Sequence, residues 1–264
     1  MSKVLDLVDT HCHLDVEAFD ADRSDVLMRS RAHGVRRLVI PAVDAGHWQP
    51  LLELCRNEAG LYPALGLHPV YLNQHRPDDI AALESAVERR RPVAIGEIGL
   101  DYFVDGLDRG RQQHLFEAQL EVARDARLPV LLHVRKAHDQ VLAALRRIPV
   151  PGGIAHAFNG SLQQAQQYLD RGFKFGFGGT LTYERSRKIR NLARQLPLDA
   201  IVLETDAPDM AVAAHRGERN SPEYLPVCLQ ALAEVREEDI DILAAATTRN
   251  ASAVLGLDDV VDRS

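Results

Sequence analysis

Residues 130–133 read VLLH and residues 201–204 read IVLE. Each is a short, unbroken apolar run that ends on one polar side chain. A strand that is apolar at every position has both faces covered, as in a parallel sheet flanked by helices. Similar runs recur outward from these two, at residues 4–9, 37–41, 61–67, 93–97, 153–156 and 173–177. Helical patterns lie between them, over residues 21–33, 77–90, 109–126, 161–171, 184–195, 223–236 and 239–255. Their ends carry ordinary stop and start signals: Asp22 and Asp25 in an opening turn, acids after Pro77, Ser161 as a cap, and Gly172 past an end. Repeated strand–helix units in one chain of 264 residues predict an α/β fold closed into a TIM (β/α)8 barrel, a single domain over residues 1–264. The other arrangement of such units is a doubly wound open sheet. No GxGxxG follows the first strand, so a dinucleotide site of that kind is unsupported.

Composition narrows the function classes. Hydrophobic residues at 46% and charged residues at 26% exclude a disordered or fibrous chain. No apolar stretch is long enough to cross a bilayer, and the opening MSKVLDLVDT lacks the apolar core of a signal peptide, so a cytoplasmic protein without a membrane partner is expected. Thirty-one Lys and Arg against 38 Asp and Glu give a net charge of -7. That disfavours coating nucleic acid by bulk attraction, but not an enzyme that meets phosphates locally. Cys12, Cys55 and Cys228 are odd in number and form no CxxC pair. They read as small apolar filler rather than a disulfide framework or a zinc–thiolate site.

The polar residues at the strand ends carry the chemistry. His11 and His13 follow strand one, His68 ends strand three, Glu97 strand four, His133 strand five, His156 strand six, and Asp206 strand eight. In a β/α barrel the carboxyl ends of all strands converge on one mouth, so these residues become neighbours. Imidazoles and carboxylates together suit zinc, manganese or a similar divalent ion, and the lack of cysteine points to hydrolysis rather than a closed structural site. In extended backbone His11 and His13 point the same way and Cys12 the other. Each residue also has a plainer reading. Glu97 would pair with an arginine; His133 and His156 would be core imidazoles bonded to carbonyls; Asp206 would cap a turn, with Pro208 opening a helix. The combination at several strand ends favours the metal site. His68 either touches substrate or steadies the turn before Pro69. His33, His47, His75, His114, His138 and His215 are expected in solvated helices or loops. Arg135, Lys136, Arg185 and Arg187 follow strands; they either contact a phosphate or, the commoner fate of such residues, are solvated at the surface. Tyr71, Tyr102, Phe103 and Phe158 are the candidates for stacking a terminal base, each otherwise a core or turn residue.

The segments DTHCHLD (9–15), GLHP (66–69), GEIGLD (96–101), RQQHLFEAQLEVARDARLPVLLHVRKAHD (111–139), HAFNGS (156–161), GGT (178–180) and LETDAPDM (203–210) occur in this order. With NSPEYLP at 220–226, this series resembles the TatD family of metal-dependent hydrolases over nearly the whole chain. The resemblance implies a barrel of the amidohydrolase superfamily holding up to two divalent ions, magnesium, manganese or zinc. It implies that His11, His13, Glu97 and Asp206 hold one ion, that Glu97, His133 and His156 hold the second, and that Glu97 is shared. All six positions are present. It further implies a deoxyribonuclease, a 3′-to-5′ exonuclease on single-stranded DNA, that cleaves phosphodiesters with a metal-activated water, with Asp206 and Glu97 as the catalytic carboxylates. The same water could instead attack a small carbonyl ester or amide, including an aminoacyl-RNA ester. A non-catalytic metal-binding protein is a third reading, disfavoured by the intact ligands. No obligate protein partner is implied.

Overall fold

A computed structural model describes residues 6–257. Its eight strands are β1 (Leu7–Asp9), β2 (Val35–Pro41), β3 (Leu61–Leu65), β4 (Ala94–Asp101), β5 (Val130–Arg135), β6 (Gly153–Ala155), β7 (Phe173–Phe177) and β8 (Ile201–Leu203). All pair in parallel, each with its neighbour in sequence. The ring closes where Thr10 donates to the Leu203 carbonyl from its backbone N–H and from Oγ1, both at 3.0 Å. This is a TIM barrel, and the doubly wound alternative falls.

Alternation along the strands sorts the core into two regions. Val8, Val39, Leu131, Ile154 and Val202 form one apolar cluster with Ala251, Leu255 and Leu257 of the chain's last described stretch. Their neighbours Leu7, Leu38, Ile40, Val130, Leu132, Ile201 and Leu203 belong to the larger cluster shared with the helices. His133 and His156 stand two residues beyond Leu131 and Ile154, so the side of each strand that fills the first cluster also delivers its histidine to the mouth.

The helices are α1 (Arg23–Ala32), α2 (Trp48–Asn57), α3 (Asp79–Arg90), α4 (Arg109–Ala126), α5 (His138–Arg147), α6 (Leu162–Leu169), α7 (Arg187–Gln195), α8 (Leu225–Arg236) and α9 (Ile240–Leu255). Ser161 caps α6 in a capping box with Gln164, and Asp239 caps α9 by accepting from the Asp241 and Ile242 amides. Helices α2 and α5 lie where the sequence pattern names none. Each is only ten residues long. Trp48 and Leu51 anchor α2, and Val141, Leu142 and Leu145 anchor α5.

Residues 4 and 5 of the first expected strand lie outside the described residues. Two features differ from expectation for physical reasons. Strand β4 runs four residues past Glu97, because after a register shift Ile98, Gly99, Leu100 and Asp101 pair with Leu132 to Arg135. Gly99 permits this approach: its φ is 148°, and a Cβ there would lie 1.9 Å from the His133 carbonyl oxygen. Pro208 opens a turn rather than a helix. The Asp209 N–H donates to the Asp206 carbonyl, and Asn220 donates from its N–H to the Pro208 carbonyl and from Nδ2 to the Asp209 carbonyl, occupying acceptors that a helix opening at Pro208 would use.

Candidate metal centre

The turn after β1, the strands β4 and β5, and the residues just past β6 and β8 bring all six expected ligands together at the carboxyl end of the barrel. Cys12 meanwhile packs into the core. His11 Nε2 lies 3.0 Å from Glu97 Oε2, 3.3 Å from His13 Nε2 and 3.8 Å from Asp206 Oδ1. His13 Nε2 lies 3.6 Å from Glu97 Oε2 and 3.7 Å from Asp206 Oδ1, while its Nδ1 meets the Pro41 carbonyl at 3.2 Å. His133 turns Nδ1 to Glu97 Oε1 at 3.0 Å and Nε2 to Asp101 Oδ2 at 2.9 Å. His156 stacks on His11 with ring centroids 3.7 Å apart, and its Nε2 is 3.6 Å from Asp206 Oδ2. The plainer readings therefore fail here. Among the described residues Glu97 has histidines and no arginine as ion-pair partners, and the ring of neither His133 nor His156 bonds a backbone carbonyl.

His68 steadies the turn, as one of its two expected readings has it, and its ring also faces the site. Its Nδ1 accepts from the Val70 N–H at 3.1 Å, fixing the turn at Pro69. Its Nε2 points into the site, 3.2 Å from His133 Nδ1 and 3.4 Å from Glu97 Oε1. Three sets of donor atoms cluster within 4.8 Å: His11, Glu97 and His156; His11, His13 and Asp206; and His68, Glu97 and His133, so that Glu97 is paired with His133 in one set and with His156 in another rather than with both at once. His13, His68, Glu97, His133, His156 and Asp206 line a cavity of about 730 Å³, within the range of small-molecule sites.

Two acids escape the sequence reading. Asp101 accepts from His133 and from the Phe103 and Val104 amides. Glu204, fully buried, accepts from the Ala157 N–H at 2.6 Å and sits 3.0 Å from His156 Nδ1, in poor alignment for a hydrogen bond. Gly176 makes room for it, since a Cβ there would come 1.9 Å from Glu204 Oε2. Both acids sit at even spacing from a recognised ligand, Asp101 four residues after Glu97 and Glu204 two before Asp206. In an extended chain that places them on the ligand's face, a signal available in the sequence.

Other expectations need correction. His75 and His138 are buried rather than solvated: His75 Nε2 bonds the His68 carbonyl at 2.8 Å, and His138 meets the Tyr168 hydroxyl and Asn159. Phe158 is 1% exposed and packs on Phe175, so no base can stack on it. Tyr102 is half-buried against the core. Tyr71 and Phe103 remain open to solvent. Arg135 lines the cavity; Lys136, Arg185 and Arg187 are exposed beside or beyond it.

The electrostatics favour cation binding. Burial would raise the Glu97 carboxyl, but the imidazoles around it, His68 and His11 foremost, hold it well below the usual carboxylate range. Burial would also lower His13 and His133. For His13 the bond and charge of Glu97 outweigh it; for His133 the bonds to Asp101 and Glu97 do, and both are carried up to about 9. Burial pushes His68 down to about 4. Buried carboxylates whose ion-pair partners are imidazoles alone need compensation. A divalent ion with nitrogen and oxygen ligands supplies it, so the donor set fits the implied metal. The buried Nδ1 atoms of His11 and His156 have no hydrogen-bond partner, and the Nε2 atom of each ring is the one turned to the carboxylates of the cluster.

Comparison with known proteins agrees with this geometry. The model of a family described as "TatD related DNase" matches residues 8–256. The Escherichia coli protein named "Uncharacterized metal-dependent hydrolase YjjV" is 42% identical over 246 residues, covering 92% of this chain and 95% of that protein. The Salmonella typhimurium "3'-5' ssDNA/RNA exonuclease TatD" is 33% identical over 252 residues, covering 93% and 97% respectively. The crystal structure of the Escherichia coli YjjV protein superposes with a TM-score of 0.92 at 40% identity, covering 96% of this chain and 99% of that one.

Proposed function

The chain belongs to the TatD family of metal-dependent hydrolases, and from that premise we propose that it removes nucleotides from the 3′ end of single-stranded nucleic acid by hydrolysing phosphodiesters. The observation that carries this reading is the buried cluster of imidazoles and carboxylates opening into a cavity at the barrel mouth. The ligand set proposed for two divalent ions is His11, His13, Glu97, His133, His156 and Asp206, with His68 beside it. When bound, such ions acidify water and neutralise charge on a phosphoryl oxygen.

The chain's own groups have distinct parts. Both carboxylates of the cluster line the cavity, and Asp206 is the more open of the two, its side chain 16% exposed against 3% for Glu97. It is placed to take the proton of the attacking water. Glu97 lies deeper and orients His11, His13 and His133 through both oxygens. The Pro41 carbonyl receives the Nδ1 proton of His13, and Asp101 receives the Nε2 proton of His133. Each contact fixes the tautomer that leaves the opposite nitrogen as a ligand. The substrate class is supported by the exonuclease relative and by the shape of a recessed mouth, which admits a strand end more readily than a duplex.

The test is hydrolysis of an end-labelled linear single strand, a blunt duplex and a circular single strand with magnesium, manganese or zinc. A panel of carbonyl esters, including an aminoacyl-RNA ester, is run beside them. Shortening of the linear strand from its 3′ end, with the circle intact, is expected. Rapid cutting of the circle contradicts the exonuclease reading. Turnover of a carbonyl ester with no phosphodiester cleavage contradicts the substrate class.

A further inference from the structure

Arg135 ends β5 two residues beyond His133, so both side chains leave the same face of the strand at the mouth. It lines the cavity with Glu97, His133 and Asp206. Its nearest partner by register is Asp101, directly across the β4–β5 ladder. The Asp101 carboxylate turns instead to His133 and to the Phe103 and Val104 amides. Arg135 is left without an ion pair among the described residues, whereas Arg23, Arg29, Arg219 and Arg236 are each held by a carboxylate.

What holds Arg135 is a ring. Its guanidinium lies 3.7 Å from the centroid of Phe103, and the Lys136 ammonium lies 4.6 Å from the same centroid. Phe103 is 47% exposed, and its N–H is anchored 2.8 Å from Asp101 Oδ1. Lys136 takes a left-handed backbone conformation, φ 54°, uncommon for a residue with a Cβ. Two adjacent cations repel each other, and the negative ring face offsets part of that repulsion. An unpaired pair of cations gathered at the mouth of a protein of net charge -7 is a local exception to its field. Arg185 and Arg187, the other candidate cations, do not line the cavity.

We propose that Arg135, with Lys136 and Phe103 beside it, is a subsite for a second phosphodiester, the one next along the strand from the bond being cut. The proposal rests on the phosphodiester reading of the site. The cavity around the scissile group carries Glu97, Asp206 and Asp209, so a neighbouring phosphate needs a cation outside the metal cluster. A planar guanidinium suits phosphate oxygens, and the lysine adds a second positive charge. The subsite makes the enzyme prefer a strand over a lone phosphodiester, and it sets affinity by charge rather than by base.

The test measures binding and turnover separately. Binding of a fluorescent oligothymidylate with phosphorothioate end linkages is followed by anisotropy on the metal-loaded protein, wild type and Arg135→Gln, over a salt series. The variant is expected to bind about tenfold more weakly. Its slope of log Kd against log salt should fall by about 0.7, the share of one single-strand phosphate contact. In turnover, the loss in kcat/KM on an ordinary oligothymidylate should exceed that on bis(4-nitrophenyl) phosphate, which has a single phosphodiester, by about tenfold. Equal losses on the two substrates, or an unchanged Kd and slope, would overturn the subsite while leaving oligonucleotide cleavage by the wild type intact. Binding that depends on Arg135 in a protein that hydrolyses carbonyl esters alone would overturn the phosphodiester reaction and keep the phosphate contact. A wild type that neither binds nor cuts the strand overturns both.

Discussion

His133 is typical of how this centre works at the scale of a residue. It has two ring nitrogens with separate partners: Nε2 is tied to Asp101, and Nδ1 is thereby turned to Glu97. Asp101→Ala removes the orienting group without touching the proposed ligand set. It should weaken metal affinity by roughly 10–100-fold, read by competition with a chromophoric chelator, and an unchanged affinity would contradict the orienting role. The six proposed ligands are legible in the sequence because each closes or closely follows an apolar run, near the end of the barrel where the strands converge. Asp101 and Glu204 are less legible because single acids in apolar runs carry no signal until the strand's facing pattern is applied to them. The burial of His75, His138 and Phe158 is hidden for a related reason: whether a polar or aromatic residue near a loop is buried depends on its tertiary neighbours. Tyr168 and Asn159 for His138, and Phe175 for Phe158, are distant in sequence.

Elements are legible according to their punctuation more than their length. The 18-residue helix α4 and the strand β7 fall where the pattern puts them, as does the eight-residue α6 behind its Ser161 cap, while the ten-residue α2 and α5 have no side-chain cap to mark their start. The extension of β4 follows from pairing with β5, which no single-segment pattern contains. That extension gives a prediction. In Gly99→Ala the new methyl would meet the His133 carbonyl oxygen at 1.9 Å, in a backbone conformation that L side chains rarely adopt. It should lower stability by about 1–3 kcal/mol or more and disturb His133, reducing metal affinity as well. Ser161→Ala, which removes the α6 cap but none of the proposed ligands, should cost about 1 kcal/mol and leave metal binding in place. Urea denaturation and metal titration of both variants check this. Wild-type stability in Gly99→Ala would contradict the close approach.

For the whole molecule, binding of metal and the stability of the fold are linked through protons. His13 and His133 titrate near 9 against an ordinary 6.5, while His68, pushed down to about 4, is neutral throughout that interval. Groups raised in this way stabilise the metal-free fold fully below their unfolded value, and that contribution is lost as pH rises through about 9. Metal requires the neutral imidazoles, so its affinity strengthens over the same window. Thermal melts in chelator should therefore fall in Tm from pH 6.5 to 9 while the increment from added metal grows; a chelated Tm that rises over this range would contradict the assignment. The net charge of -7 already leaves phosphate recognition to local groups, but which cations gather at the mouth is visible only in the folded chain. The central claim is that a divalent ion held through Glu97 is required for hydrolysis. It is tested most directly by metal content and single-strand turnover of wild type and Glu97→Ala after chelation and re-addition of metal. Activity should vanish on chelation, return in the wild type with bound metal, and remain absent, along with the metal, in Glu97→Ala. Full turnover by either protein after exhaustive chelation with no metal returned would contradict it.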